Sequence, residues 1–282
     1  MSRPVALVTG ASAGIGRAFA AGLADRGYDL VVVARTTARL EELAEVLSPH
    51  GAAVEVLAAD LRDEAGLARV EARLTDASRP VDLLVNNAGF GTAGRFHELP
   101  VADELGMVEL NVAALVRLTH AALGPMVARR AGGVINVSST ASYQPAPGNA
   151  TYSATKAFVS SFSQALHEEV RGVGVKVLAV CPGFTHTEFQ QRAGMEAEDV
   201  PGFMWQQPEQ VVDAAMRAYD RGRAVVVTGL INQATAAFST VSPGFVTRKI
   251  AGRIMEGAGR TRARSEEHTS ELQSLRHLVC RL

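Results

Sequence analysis

Short, mostly apolar runs alternate with longer stretches of helical period from Val5 to about Val227. Val5 to Val8, Leu30 to Ala34, Val54 to Ala58, Val81 to Val85, Gly133 to Val137, Val175 to Val180 and Ala224 to Val227 are each four to six residues long. Their near-continuous apolar character suits strands buried on both faces. Between them lie Gly14 to Arg26, a stretch ending near Leu47, Glu64 to about Ala77, Val101 to Arg129, Tyr152 to about Arg171, and Val211 to Tyr219. These repeat apolar residues at three- and four-residue steps, as helices with one buried face do. Strand and helix in strict alternation predict an α/β fold, a parallel sheet covered by helices on both sides. One domain is expected over 1–258, with a lid at about 184–207, a linker at 259–263 and a separate tail at 264–282.

In such a sheet, ligands sit beyond the carboxyl ends of the strands, near the switch in strand order. The polar residues gather there. Thr9 to Gly16, TGASAGIG, joins the first strand to the first helix. Gly10, Gly14 and Gly16, with Ser12 and Ile15 among them, permit a tight turn and close approach of a pyrophosphate to the helix N-terminus. Arg35 ends the second strand where an acidic side chain would bind the ribose hydroxyls of NAD; a guanidinium suits a 2′-phosphate instead. NADP(H) is therefore preferred, with NAD(H) the alternative and Arg39 a helper one turn on. Asp60 suits either the adenine amino group or the N-cap of the helix at Glu64. Small residues in Asn86-Asn87-Ala88-Gly89 let a ribose lie against the backbone, and an Asn there can tie neighbouring strands together. Asn111 lies in an apolar helix, so its amide needs a structural partner or a bound water. After the sixth strand come Cys181, Pro182, Gly183, Phe184, Thr185, His186 and Thr187. Thr185 and Thr187 suit the nicotinamide amide and a phosphate. Cys181 reads as a small strand-end residue, and His186, with no acid at a recognisable spacing, as a loop histidine.

The sharpest chemistry is Tyr152-Ser153-Ala154-Thr155-Lys156, thirteen residues after Ser139. A four-residue step puts Tyr152 and Lys156 on one helix face. An ammonium one turn away favours phenolate and is expected to lower the tyrosine pKa, which makes proton donation to a carbonyl oxygen feasible. The Ser139 hydroxyl can hold the same oxygen.

Composition removes other classes. The chain has 282 residues, 47% of them hydrophobic and 20% charged, with net charge −1, so no basic footprint for nucleic acid exists. Cys181 and Cys280 give no disulfide framework, and no metal-ligand spacing appears. No signal peptide is visible and no uninterrupted apolar run approaches the roughly 18 residues of a membrane span. A cytoplasmic location is expected. Arg264 to Ser274 and Leu278 to Leu282 resemble a common sequencing-library adapter translated in frame, so 264–282 is expected to be foreign to the protein.

TGASAGIG, Asp60, NNAG, Asn111, Ser139, Tyr152-x-x-x-Lys156 and Pro182-Gly183, in this order and spacing from Val5 to Thr187, resemble the short-chain dehydrogenase/reductase family. The resemblance implies a doubly wound Rossmann-like fold and reversible hydride transfer between a carbonyl and its alcohol on NAD(P). It makes Tyr152 the acid/base and gives Lys156 the nicotinamide ribose as well as the tyrosine. Ser139 would orient the carbonyl, and Asn111 would support a water in a proton relay. Ala13 departs from the basic residue that many NADP-preferring members carry. A homodimer or homotetramer built on the helices around Asn111 and Tyr152 is also implied.

Phe184, Phe189, Met195, Phe203, Met204 and Trp205 concentrate bulky apolar groups in a segment broken by Gly194, Pro201 and Gly202. They suit either a lid over a lipophilic substrate or simple packing on the sheet. After Ser242-Pro243-Gly244, Val246, Ile250 and Ile254 share a helical face, with Arg248, Lys249 and Arg253 elsewhere. That stretch resembles acyl-reducing members of the family and suits a membrane surface, an acidic acyl carrier or a core or subunit contact. The expected activity is NADPH-dependent reduction of a lipophilic ketone or 3-oxoacyl group. The alternatives are an NAD-dependent alcohol or hydroxysteroid dehydrogenase, and a non-catalytic NAD(P)-binding sensor.

Overall fold

The computed structural model describes residues 3–193 and 201–241. Gly194 and Met195 of the expected lid, the amphipathic stretch after Ser242 and the tail at 264–282 lie outside the described residues.

Seven parallel strands form one sheet: β1 (Val5–Thr9), β2 (Asp29–Ala34), β3 (Val54–Ala58), β4 (Leu83–Asn86), β5 (Gly132–Val137), β6 (Val175–Cys181) and β7 (Val225–Val227). Their order is β3-β2-β1-β4-β5-β6-β7. The chain therefore builds outward from β1 to β3, returns, and builds the other way from β4, so the switch falls between β1 and β4. Alternate residues of each strand enter two separate cores. Ala6 and Val8 of β1 pack with Phe19 and Leu23 of α1 (Gly14–Asp25), Leu40 and Leu43 of α2 (Thr37–Leu47), and Val211 and Ala215 of α8 (Pro208–Asp220). Leu7 packs on the other side with Leu67 and Val70 of α3 (Glu64–Thr75), Leu118 and Met126 of α5 (Leu115–Arg129), and Val170 of α6 (Ala150–Val170). Both faces being covered explains why the strands read as continuous apolar runs; each such buried side chain contributes about 1.5–3 kcal/mol.

Helix ends follow local chemistry. Asp63, not Asp60, caps α3, its carboxylate accepting from the Gly66 N–H at 3.2 Å. That overturns the capping reading of Asp60, because the turn at Arg62 places Asp60 outside the helix. Pro208 at the first position and a reciprocal Gln207–Gln210 capping box start α8 earlier than its apolar pattern suggests.

The expected helix from Val101 to Arg129 is present as α4 (Val101–Val108), a π-helical turn (Glu109–Ala114) and α5. By length and composition this 29-residue helix could cross a membrane, one 18-residue window having a mean hydropathy of 1.3, whereas the sequence reading found no uninterrupted apolar run of spanning length. Packing accounts for part of that hydropathy, while Val101, Leu105 and Val108 of α4 stay exposed. Met107, Asn111, Leu118 and Met126 are buried inside the protein, and Arg117 binds Glu64 and Glu71 of α3 on the other side. Two short elements were not legible: α7 (Phe189–Arg192) and α9 (Leu230–Val241). Leu230, Ile231 and Phe238 of α9 point outward, so its apolar pattern does not mark a core face.

Candidate active site

The β1–β4 switch gathers the glycine loop and the Asn86–Gly89 turn. Gly10 has φ +66°, and a Cβ there would meet Asn87 Nδ2 at 2.8 Å. Gly16 opens into the same space, its would-be Cβ only 2.2 Å from Gly10 O. The Asn87 amide donates to Thr9 O at 3.0 Å and Gly10 O at 3.3 Å, while Thr9 Oγ1 accepts from the Asn87 and Ala88 N–H groups, each at 3.0 Å. Asn87 and Thr9 therefore lock two strand ends together, and only glycines fit between them. Thr9 gave no signal in sequence because its role is a bond to a residue far along the chain. Helix α1 then begins with no side-chain cap at Ala13 and no acidic residue in its first turn, so its N–H groups suit an anion. Ser12 in this loop and Ile15 in the first turn of α1 are partly buried.

Arg35 is exposed at the end of β2. Arg39, also exposed, forms an ion pair with Glu188 at 3.1 Å, which links α2 to the segment after β6. Burial alone would raise the Asp60 carboxyl, but hydrogen bonds from the Arg62 side chain and N–H hold it below the usual carboxylate range. Arg62 was not anticipated.

The catalytic candidates meet at the ends of β4, β5 and α6. Asn111, 1% exposed, donates to Phe90 O at 2.9 Å and Thr155 Oγ1 at 3.2 Å and accepts from the Phe90 N–H at 3.1 Å. Its carboxamide sits in the π-helical turn, where the widened backbone lets a polar side chain face inward. Lys156 is buried and donates to Val137 O at 2.9 Å. A Cβ on Gly89 would lie 2.8 Å from Asn111 Oδ1 and 3.6 Å from Lys156 Nζ, so the glycine leaves the ammonium reachable. The two serines separate. Ser138 is buried and donates to Lys156 O at 2.7 Å, a structural bond. Ser139 is partly exposed, accepts from the Ala141 N–H at 3.1 Å and hydrogen-bonds Tyr152. Behind them, Asn86 donates to Asn136 Oδ1 at 2.9 Å and Asn136 to Ser163 Oγ at 2.9 Å, a buried ladder holding β4, β5 and α6 together.

Electrostatics differ from the expectation. Burial pushes the Tyr152 phenol up to about 12, the Ser139 hydrogen bond opposes this, and the buried Cys181 thiol adds to it. Burial pulls the Lys156 ammonium down to about 8. In the protein alone, desolvation of both groups outweighs the attraction that would depress the tyrosine.

Beyond β6, Pro182 O accepts from the Thr140 N–H at 2.9 Å, which ties the Ser139 turn to the loop. The Thr185 hydroxyl is buried and donates to Gly183 O at 3.1 Å. Thr187 lies against Gly14, where a Cβ would meet Thr187 Cγ2 at 2.9 Å, and its hydroxyl donates to Gln190 Oε1 at 3.2 Å. Of the two threonines, Thr187 lies beside the glycine loop. His186 stacks on Trp205 with centroids 4.7 Å apart, and Phe184 packs on the same indole at 5.6 Å. Phe189 packs against the Tyr152 ring at 5.5 Å, while Phe203 stays exposed. Asn232 of α9 fills the space over Gly183, where a Cβ would lie 2.3 Å from its amide nitrogen. The sequence reading missed α9 as a wall of this site.

A family model described as short chain dehydrogenase matches residues 4–198. Sulfoacetaldehyde reductase 2 of Chromohalobacter salexigens is 40% identical over 187 residues, covering 66% of this chain and 74% of that protein. Among solved structures, a short-chain dehydrogenase from Sphingobium yanoikuyae in complex with NADPH is 37% identical with a TM-score of 0.77, covering 85% of this chain and 96% of that one. The bulky-bulky ketone specific alcohol dehydrogenase from Comamonas testosteroni is 32% identical with a TM-score of 0.74, covering 86% of this chain and 96% of that one.

Proposed function

Because the chain belongs to the short-chain dehydrogenase/reductase family, we propose that it uses NADPH to reduce a lipophilic ketone or 3-oxoacyl group to the alcohol. The observation that carries this reading is the convergence of Ser139, Tyr152 and Lys156 at the same end of the sheet as the uncapped N-terminus of α1. The glycine loop and that N-terminus would hold the pyrophosphate, and Asn87, Ala88, Gly89 and Lys156 would hold the nicotinamide ribose. Asp60 would face the adenine, and Pro182, Gly183, Thr185 and Thr187 the nicotinamide end. Arg35, exposed at the end of β2 where an acidic side chain would bind free ribose hydroxyls, supports NADP. The bound dinucleotide supplies the hydride, which no side chain can. Tyr152 gives its proton to the carbonyl oxygen as negative charge develops there, and Ser139 donates a hydrogen bond to the same atom. With its pKa up to about 12 the phenol is fully protonated at neutral pH, which suits it to that donation. Lys156 then stabilises the phenolate, and Asn111 holds the Phe90 segment beside it.

A small aldehyde is the second reading, favoured by the narrow space between Phe189 and Gly91 at Tyr152. A cytoplasmic setting accompanies both, in keeping with the free thiol of Cys181. Val101, Leu105, Val108 and Phe158 stay exposed on α4 and α6 and support a homodimer or homotetramer. Light scattering is expected to give a multiple of the chain mass; a monomer at micromolar concentration overturns the oligomer.

The test is oxidation of NADPH and NADH with medium-chain 3-oxoacyl thioesters, aromatic ketones, steroids and a small aldehyde. NADPH is expected to be preferred by at least about tenfold, the size of one good charge-assisted contact. Because the Lys156 ammonium titrates at about 8 and is lost above it, reductive kcat/KM is expected to fall as pH rises through that value. Tight NADPH binding with no turnover on any class would favour the sensor; NADH preference would favour the NAD-dependent dehydrogenase.

A further inference from the structure

Resting on the carbonyl-reductase reading, we infer that Phe189 and Gly91 form a size filter on one side of the reacting carbonyl, so that one substituent must be small. A Cβ at Gly91 would lie 3.0 Å from Tyr152 Cδ2 and 3.1 Å from Phe189 Cζ, and the Tyr152 and Phe189 rings are 5.5 Å apart at a 48° tilt. The Phe189 ring, the Tyr152 ring and the backbone at Gly91 thus pack directly on one another, and no side chain larger than hydrogen fits at position 91.

Both walls are held. On the Gly91 side, Asn111 bonds the N–H and the carbonyl of Phe90. Glu104, 5% exposed, accepts from the Thr92 hydroxyl at 2.6 Å. The flanking residues are thereby fixed, and Gly91 cannot retreat. On the other side, the Phe189 N–H donates to Thr187 Oγ1 at 3.2 Å, and the adjacent Gln190 amide donates to Thr185 O at 3.0 Å. That turn sets the ring in place, although the ring itself remains partly exposed. Because Gly91 already lacks a side chain, Phe189 is the side chain whose truncation widens the gap. Within the proposed substrates, the filter therefore selects aldehydes, methyl ketones and other carbonyls with one compact arm, and disfavours 3-oxoacyl groups with a long chain on both sides of the ketone.

The test compares acetophenone, propiophenone and butyrophenone, which lengthen only the compact arm, in the wild-type enzyme, Phe189→Leu and Phe189→Ala with saturating NADPH. In wild type, kcat/KM is expected to fall by about tenfold or more across the series, the scale of excluding added methylenes. Phe189→Ala is expected to flatten the series and raise butyrophenone by about tenfold, Phe189→Leu to fall between, and NADPH affinity to stay within about twofold. A parallel shift of all three ketones in both variants, or a flat wild-type series, overturns the filter. If neither wild type nor variants consume NADPH with any carbonyl while still binding it, the reductase reading fails and the filter falls with it, a distinct outcome.

Discussion

Tyr152→Phe is expected to lower kcat for carbonyl reduction by about a hundred- to ten-thousandfold while NADPH affinity changes less than about threefold. In the proposed reaction the phenol is the acid that meets the carbonyl oxygen, and its hydroxyl bonds Ser139. Removing one oxygen leaves the ring packed on Phe189 and the Lys156 bond to Val137 intact. The loss should therefore appear in the chemical step and not in folding or cofactor affinity. Single-turnover NADPH oxidation beside a fluorescence titration of the cofactor reads both. Retained turnover would remove Tyr152 from its role, and a matching loss of NADPH affinity would make the tyrosine a binding residue instead.

Gly16→Ala is expected to be nearly as damaging by a different route. Its Cβ would lie 2.2 Å from Gly10 O and 2.4 Å from Asn87 Nδ2, and neither is the free end of a flexible side chain. Relief requires moving the turn, which breaks the Asn87 bond to Gly10 and tilts the first N–H groups of α1 away from the pyrophosphate position. Overpacking of this kind costs about 1–3 kcal/mol, or roughly 2–4 °C of Tm per kcal/mol for a chain of this size. NADPH affinity is expected to fall by about tenfold or more, the scale of losing one well-placed charged contact. Gly124→Ala in α5 is the control, since a Cβ there meets nothing within 4 Å, and it should be neutral or slightly stabilising. Equal behaviour of the two variants in melting and NADPH titration would refute the close-approach argument.

Gly10, Gly14 and Gly16 were legible because a turn between a strand and a helix has a local cause and a fixed spacing. The Tyr152–Lys156 pair was legible because one helical turn separates the two residues. Ser139 was legible from its distance to that pair. The two buried faces of the sheet were readable from continuous apolar strands, and the helix from Val101 from its period. What stayed hidden has non-local causes. Thr9, Asn136 and Glu104 matter through bonds to residues 12 to 78 positions away, and their types are common at the surface. Asp63 took the cap that Asp60 was offered, since the turn geometry, not the residue type, decides which carboxylate meets Gly66.

Sequence alone determined the family and the layered fold and pointed to the proposed proton donor, because these rest on repeating periods and short fixed spacings. Tertiary structure decided the charge state and the shape of the site. Burial, which no neighbouring residue in sequence reports, sets the phenol up to about 12 and the ammonium down to about 8. The meeting of Gly91, Tyr152 and Phe189 depends on three segments that only the folded sheet brings together.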